Sequence, residues 1–170
     1  MKSTYRMGLA PENHDPDNFF PLLEDFYRNR KAKIFLHRSG KRYFDKKGFF
    51  KNQDIYYVRS SSQMEEAATL TNDLTKDTTF LDGAIFFMIA TSIYMGFKEL
   101  YLCGCGYTYQ PLQSGHFYEN WTQLDEAPVN HRHRIMKDFA DKHGVKIYNV
   151  VPDGFESPVY EKISWNQIIL

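Results

Sequence analysis

The chain has 170 residues, and its 21 lysines and arginines are balanced by 21 aspartates and glutamates, so the formal net charge is zero. This balance argues against a general nucleic-acid-binding protein, which usually carries an excess of basic residues. There is no run of 18 apolar residues and no apolar segment near the start, so we expect neither a transmembrane helix nor a secretory leader.

The first elements of the chain are predicted to be a lead-in, a helix and a strand. Residues 1–16 contain two prolines and several polar residues, which favour a poorly ordered segment. Asp17 is the N-cap candidate for a short helix over residues 19–30, because an aspartate side chain accepts hydrogen bonds from the first free amides of a helix. The short apolar run KIFLH (33–37) then predicts a strand.

A charged segment separates this strand from the next one. The sequence SGKRYFDKKGFF (39–50) predicts a loop or an irregular hairpin, and the basic run over 42–51 is typical of a solvated surface. DIYYVR (54–59) predicts a second strand. The following residues, 60–79, leave helix and irregular structure open, since their Glu, Ala and Leu favour a helix while their many Ser and Thr oppose it.

The most apolar part of the chain predicts a helix followed directly by a strand. LDGAIFFMIATSIYMG (81–96) is apolar on all sides, which is typical of a buried helix that begins after Asp82 and ends at Gly96. KELYLCG (98–104) then reads as a buried strand. In that strand we expect the Cys103 thiol to point into the core.

The C-terminal part predicts a loop, a helix and two strands. A long polar loop covers about residues 105–127, and loops of that length are usually functional. Pro128 opens an amphipathic helix that ends at Gly144, because proline fits the first helical turn and glycine the position after the last. VKIYNVV (145–151) predicts a buried strand, and residues 157–170 predict a short edge strand and a final helical turn.

This order of elements indicates an α/β protein with a Rossmann-like, open, mostly parallel sheet and helices on both faces, formed as a single domain over residues 1–170. In such sheets, ligands bind outside the carboxyl ends of the strands. Two of these ends carry small and polar residues, GCGYTY (104–109) and NVVPDGFES (149–157). The sequence therefore predicts a ligand site where these two segments meet.

Residues 80–165 resemble a known family. The residues that carry the resemblance are GAIFFMIATSIYMGFKELYLCGCGYTY, then HFY, then HGVKIYNVVPDG and VYEKISW. This pattern is similar to the C-terminal half of the bacterial sialyltransferases of glycosyltransferase family 42. It resembles still more closely their relatives among the DUF115 proteins, grouped with hydroxymethylpterin diphosphokinase-like proteins.

The resemblance implies a nucleotide-sugar or nucleotide-phosphate site and a transferase of surface-glycan synthesis that needs no metal. Tyr107 or Tyr109 would contact the donor phosphate. A histidine would be the general base for the acceptor hydroxyl, and His116, His131 and His133 remain open for that role. His131 and His133 would point about 200° apart on a helix, so both cannot serve one site if the helix has begun.

The chain also departs from the family pattern. No G-x-G-x-S-L phosphate loop precedes residue 80, and Gly106 stands where the relatives carry an acidic residue. Two alternatives to a glycosyltransferase therefore stay open. One is a pterin-type diphosphokinase, which would require magnesium and clustered carboxylates. The other is a non-catalytic binding or scaffold remnant of the family.

Other candidate residues follow from local chemistry. Gly104 and Gly106 either allow the backbone to approach a ligand or form a turn. Asp153 either contacts a ribose or an acceptor, or belongs to a P-D-G turn, which the sequence favours. Cys103 and Cys105 lie two residues apart, too close for an ordinary disulfide and without a recognised zinc spacing.

These observations define the expected partners. We expect a nucleotide-sugar and a glycan acceptor, no resident cofactor or metal, no nucleic acid, and a homo-oligomer as an option. We expect the protein in the cytoplasm, at most peripheral to the inner membrane.

Overall fold

The protein is described by a computed structural model. It covers residues 20–21, 24–25, 27–29, 33–61, 71, 73–76, 78–79, 83–110 and 126–168. The described residues divide into two compact units, which are considered separately below. The first holds those up to Ser61 and those of Asp73–Thr78, and the second holds residue 71 and those from Thr79 onward. The prediction of one domain for the whole chain stays a prediction.

The first unit is built on a parallel pair of strands. Strands β1 (Lys33–His37) and β2 (Asp54–Val58) lie in register, with Phe35 opposite Tyr56, and both confirm the predicted strands. Their central aromatic rings stack with centroids 5.1 Å apart. The predicted helix near the start is supported where it is described, since Phe20, Pro21, Glu24, Asp25 and Tyr27 are helical.

The segment between these strands is helical, which corrects the prediction of a loop or hairpin. A 3₁₀ turn at Arg38–Gly40 leads into helix α1 (Lys41–Lys47). The Lys41 ammonium donates to the Asp45 carboxylate one turn later, at 2.6 Å. Gly48 adopts a φ of 74° and its N–H donates to the Phe44 carbonyl, so glycine ends the helix in the left-handed conformation that it adopts without strain.

Aromatic side chains fill the core of this unit. Its buried members come from the N-terminal helical residues, strand β1 and α1 with the turn after it: Phe20, Ile34, Leu36, Phe44 and Phe50. Two strands of two residues each, β3 (Ser60–Ser61) and β4 (Thr78–Thr79), form a further small sheet. The rest of the segment whose structure was left open in the prediction is mostly outside the described residues.

The second unit contains a three-stranded sheet in the order β5–β6–β7, with all strands parallel. Strands β5 (Glu99–Cys103), β6 (Lys146–Val150) and β7 (Glu161–Ile163) confirm the predicted strands. Helix α2 (Ala84–Tyr94) precedes β5, and helix α3 (Glu126–Lys142) connects β5 to β6. The α/β class with open, parallel sheets is therefore confirmed.

Helix α2 is less buried than its composition predicts. Ile85, Ile89 and Ile93 are buried, but Met88 is 65% exposed and lies on the opposite side. The helix starts after Gly83, whose φ is 136°, and the predicted N-cap Asp82 is outside the described residues. Gly96, with a φ of 86°, ends the helix as predicted.

Strand β5 is likewise buried on one face only, which corrects the prediction of a buried strand. Leu100 and Leu102 pack against the core cluster, whereas Tyr101 and Cys103 on the other face are exposed. The buried members of that cluster come from both helices and the sheet: Ile85, Phe86, Ile89, Ile93, Leu102, Ile135, Met136, Phe139, Ala140, Val145, Ile147 and Tyr160. Among the described residues, no helix is long and apolar enough to cross a membrane.

The contrast between neighbouring residues of α2 gives a test of this packing. Ile89→Ala should lower the free energy of unfolding by about 2–5 kcal/mol, because it leaves a cavity in the core. Met88→Ala, its exposed neighbour, should change it by about 0.5 kcal/mol or less. Urea denaturation followed by circular dichroism measures both, and equal losses for the two variants would contradict the assigned helix faces.

Candidate functional site

The segments that follow β5 and β6 are joined at the carboxyl edge of the sheet. Gln110 and Glu156 form an isolated antiparallel bridge in which each backbone N–H donates to the other residue's carbonyl, at 2.8 Å in both directions. The two strand ends that the sequence singled out are thus brought together. Because carboxyl ends of parallel strands are the usual ligand edge, this is the candidate site.

The first turn after β5 leaves space for an approaching ligand. Gly104 has a φ of 71°, and a β-carbon at this position would have no other atom within 4 Å. Gly106 starts a 3₁₀ turn, Gly106–Thr108, whose backbone is closed by a hydrogen bond from the Thr108 N–H to the Cys105 carbonyl at 2.8 Å. Gly104 is therefore required by its backbone conformation, and it also exposes backbone at the site.

The two candidate tyrosines have different surroundings. Tyr109 is buried, and its hydroxyl donates to the Val150 carbonyl at 2.9 Å, which ties the turn to the end of β6. Tyr107 is 37% exposed, and its hydroxyl has no hydrogen-bond partner among the described residues. Burial, with the nearby Cys105, raises the pKa of Tyr107 to about 12. Tyr107 thus stays protonated at neutral pH and can donate a hydrogen bond to an anion.

A buried amide holds these segments in place. The Asn149 side chain is fully buried in β6, and its nitrogen donates to the Thr108 hydroxyl at 2.8 Å and the Ser157 hydroxyl at 3.1 Å. The Thr108 hydroxyl donates in turn to the Cys105 carbonyl, and the Ser157 hydroxyl to the Tyr160 carbonyl. One residue of β6 therefore fixes the turn after β5 and the segment before β7.

Among the described residues, His133 is the buried histidine. It is 1% exposed on α3, and its Nδ1 lies 2.8 Å from the Tyr160 hydroxyl. Its ring lies 4.8 Å from the Phe86 ring and stacks with Tyr107 at 6.1 Å, centroid to centroid. Burial lowers the pKa of His133 from its usual 6.5 to about 4. The imidazole is therefore neutral at physiological pH and packs three elements against one another.

The remaining candidate histidines are placed differently. His131 lies two residues earlier on α3 and is exposed, as are Arg132 and Arg134. Because the helix has begun before these residues, the two histidines do point in different directions, as the helical spacing requires. His116 is outside the described residues.

Asp153 lies in the turn that follows strand β6. The Phe155 N–H points to the Pro152 carbonyl at 3.3 Å, and Gly154 between them has a φ of 84°. This is the P-D-G turn that the sequence favoured, since a positive φ at the third position suits glycine. The Asp153 side chain is exposed in that turn, and its contact with a ligand stays a prediction.

The two cysteines lie on different sides of the chain, which the prediction of a common side for both did not anticipate. Cys103 is exposed and Cys105 packs against the core cluster, so the expectation that Cys103 points inward is wrong. The positive φ of Gly104 between them interrupts the alternation of a regular strand. Within the described residues, no group of three or more His, Cys, Asp or Glu side chains is arranged to hold a metal ion.

Sequence reasoning missed the residues that support the site. Asn149, Thr108, Ser157 and Tyr160 were not proposed as functional, although an asparagine within the apolar strand VKIYNVV was a usable signal. A buried polar side chain needs hydrogen-bond partners, so its presence in a core strand predicts a network. Its partners lie elsewhere in the chain and could not be named from the sequence.

Comparisons of this chain with protein-family models, with curated proteins and with solved structures found no match. The resemblance to glycosyltransferase family 42 and its relatives therefore rests on the sequence pattern alone.

The buried imidazole of His133 predicts a specific dependence of stability on pH. Because its folded-state pKa of about 4 is below the usual 6.5, the unfolded chain binds a proton that the folded chain excludes between these values. The free energy of unfolding should be unaffected by this group above pH 6.5 and should fall as the pH drops towards 4. The total loss is on the order of 3 kcal/mol at most.

Urea denaturation of wild type, His133→Gln and His131→Gln at several pH values between 7.5 and 4 separates this contribution from that of the carboxylates. The pH dependence should be weaker in His133→Gln and unchanged in His131→Gln, which removes an exposed imidazole. The same pH dependence of the free energy of unfolding in all three proteins would show that folding does not lower the pKa of His133.

Proposed function

We propose that this chain is a glycosyltransferase-like protein that binds the phosphate of a nucleotide-activated sugar at the carboxyl edge of the β5–β6–β7 sheet and acts in surface-glycan synthesis. The observation that carries the proposal is the half-exposed Tyr107 hydroxyl, which has no hydrogen-bond partner among the described residues and follows the open backbone at Gly104. A neutral phenol donor and exposed backbone suit a phosphate, and the resemblance of residues 80–165 to family 42 sialyltransferases suggests the transfer of a sugar such as sialic acid.

The proposed reaction is a direct displacement at the anomeric carbon of the donor. A histidine takes the proton of the acceptor hydroxyl, and the acceptor oxygen forms a bond to the anomeric carbon. The bond from that carbon to the phosphate oxygen breaks, and its electron pair leaves with the nucleotide. The Tyr107 hydroxyl stabilises the negative charge that grows on the departing phosphate, which is where a positioned donor contributes most.

His131 and His116 are the proposed candidates for the base. A general base needs a pKa near the working pH and access to the acceptor hydroxyl. His133 meets neither requirement in this conformation, since it is buried beside Tyr160 and its pKa is about 4. In the proposal, His133 supports the site by holding the Tyr107 ring.

A thermal-shift screen with CMP, UDP, GDP and ADP, each with and without magnesium, tests the binding step. A nucleotide at a hundred times its dissociation constant should stabilise the native state by about 2.7 kcal/mol, or about 5–10 °C for a chain of this size. Tyr107→Phe should weaken binding about tenfold or more, because it removes a hydrogen bond to a charged group.

Tyr109→Phe is the matched control, because it removes the same hydroxyl group from a tyrosine whose hydroxyl already donates to the Val150 carbonyl. It should lower the melting temperature of the free protein but leave the dissociation constant of the nucleotide unchanged. A melting temperature that no nucleotide shifts would reject the proposal for this chain and favour a non-catalytic remnant. A magnesium-dependent shift with ADP alone would instead point to phosphoryl transfer.

A further inference from the structure

The first unit contains a pocket at the turn between α1 and β2, with a volume of about 350 Å³. Its floor is formed by the buried rings of Phe44 and Phe50, and its walls by the half-buried side chains of Phe49, Ile55 and Tyr57. Pockets for small ligands have volumes of about 300–1,000 Å³ and are lined mainly by aromatic and apolar side chains. The volume of this pocket fits that class, and its lining combines these aromatic side chains with an exposed surface that is more polar than apolar.

The backbone around the pocket is held in an uncommon conformation. Phe50 has a φ of 57°, the left-handed region that side chains other than glycine rarely adopt. Its N–H donates to the Glu24 carboxylate at 3.0 Å, and the Gln53 side-chain nitrogen donates to the Tyr27 carbonyl at 2.9 Å. Such strained residues persist where surrounding contacts fix them, often at ligand sites. These two hydrogen bonds tie the turn that lines the pocket to the N-terminal helical residues.

The chain segment that supplies most of the pocket lining is positively charged. Residues 41–51, KRYFDKKGFFK, contain five basic residues and one acidic residue, a net charge of +4 in a chain whose total is zero. The acidic one, Asp45, lines the pocket, but its carboxylate is paired with Lys41 at 2.6 Å. An anion near the pocket is thus attracted by several of these charges, while the carboxylates of Asp45, which is paired with Lys41, and of Glu24, which accepts from the Phe50 N–H, oppose them.

Lys51 provides a cation directly in the pocket lining. Its side chain crosses Gly48, where a β-carbon would lie 2.7 Å from the Lys51 Cε and 3.0 Å from its Nζ. Among the described residues, its ammonium group has no hydrogen-bond or ion-pair partner. A β-carbon at position 48 would collide with Lys51, so the glycine leaves room for this side chain in the pocket lining.

We propose that this pocket binds a small planar aromatic compound that carries an anionic group, either a carboxylate or a phosphate. The ring of the ligand packs against Phe49 and Tyr57, and its anion pairs with Lys51. The second N–H of the Gln53 amide has no partner among the described residues and can donate to a polar atom of the ring. This site belongs to the first unit and does not depend on the function proposed for the β5–β6–β7 edge.

NMR titration of the nitrogen-15-labelled full chain tests the proposal with three probes of similar shape. These are 2-naphthoate, 2-naphthyl phosphate and the neutral 2-naphthamide, at millimolar concentration and physiological salt. The amide signals of Gly48, Lys51 and Gln53 should shift and saturate with the anionic probes. The neutral probe should bind about fivefold more weakly, which is the value of a partly exposed ion pair. The preference between the first two probes separates carboxylate from phosphate ligands.

Variants that each remove one positive charge locate the anion. Lys51→Gln should reduce the affinity for the anionic probes to that for the neutral probe, and Lys51→Arg should retain it. Lys46→Gln, on the exposed surface of α1 and outside the pocket lining, should have little effect at physiological salt, where charges beyond about 8 Å are screened.

Each of three results would overturn the proposal. The first is the absence of saturable shifts at these amides for all three probes. The second is equal affinity for the neutral and anionic probes. The third is an equal loss of affinity in Lys46→Gln and Lys51→Gln, which would show diffuse attraction without a site. The spectra themselves report whether each variant is folded.

Discussion

The buried side-chain amide of Asn149 is the constraint on which the carboxyl edge of the second sheet depends. Its nitrogen donates to hydroxyl oxygens of Thr108 and Ser157, which belong to two different connecting segments. Both hydroxyls donate their own hydrogen bonds to backbone carbonyls, so each oxygen can accept one from the Asn149 amide. Hydrogen bonds donated by a buried amide to two acceptors are strong and directional, because the protein interior screens charges weakly. The position of Tyr107, next to Thr108 in the chain, follows from it.

A second buried contact extends this constraint to the helices. The Ser157 hydroxyl donates to the Tyr160 carbonyl, and the Tyr160 hydroxyl lies within hydrogen-bond distance of His133 on α3. His133 in turn contacts the Phe86 ring of α2, so both helices are tied to the polar network as well as to the apolar core. Burial lowers the pKa of His133 and raises that of Tyr107, so both side chains are uncharged at neutral pH.

Local sequence patterns were sufficient for most of the regular elements and insufficient for the contacts between them. KIFLH, DIYYV and KIYNV are short, mainly apolar runs that form strands, and Gly96 and Gly144 end helices at positive φ. Helix α1 was missed because its charged sequence resembles a loop, while an i,i+4 ion pair and the Gly48 cap stabilise it. The Asn149–Thr108 hydrogen bond joins residues 41 apart, a pairing that no local pattern encodes.

Native-state hydrogen exchange of the Gln110 and Glu156 amides in Asn149→Leu tests this account most directly. These amides form the bridge between the two connecting segments. Loss of the buried amide should speed their exchange about tenfold or more relative to the amides of α2. Asn166→Leu, at an exposed position, should leave their exchange unchanged. Unchanged protection of both amides in folded Asn149→Leu would show that the edge is held by other contacts, and would contradict the account.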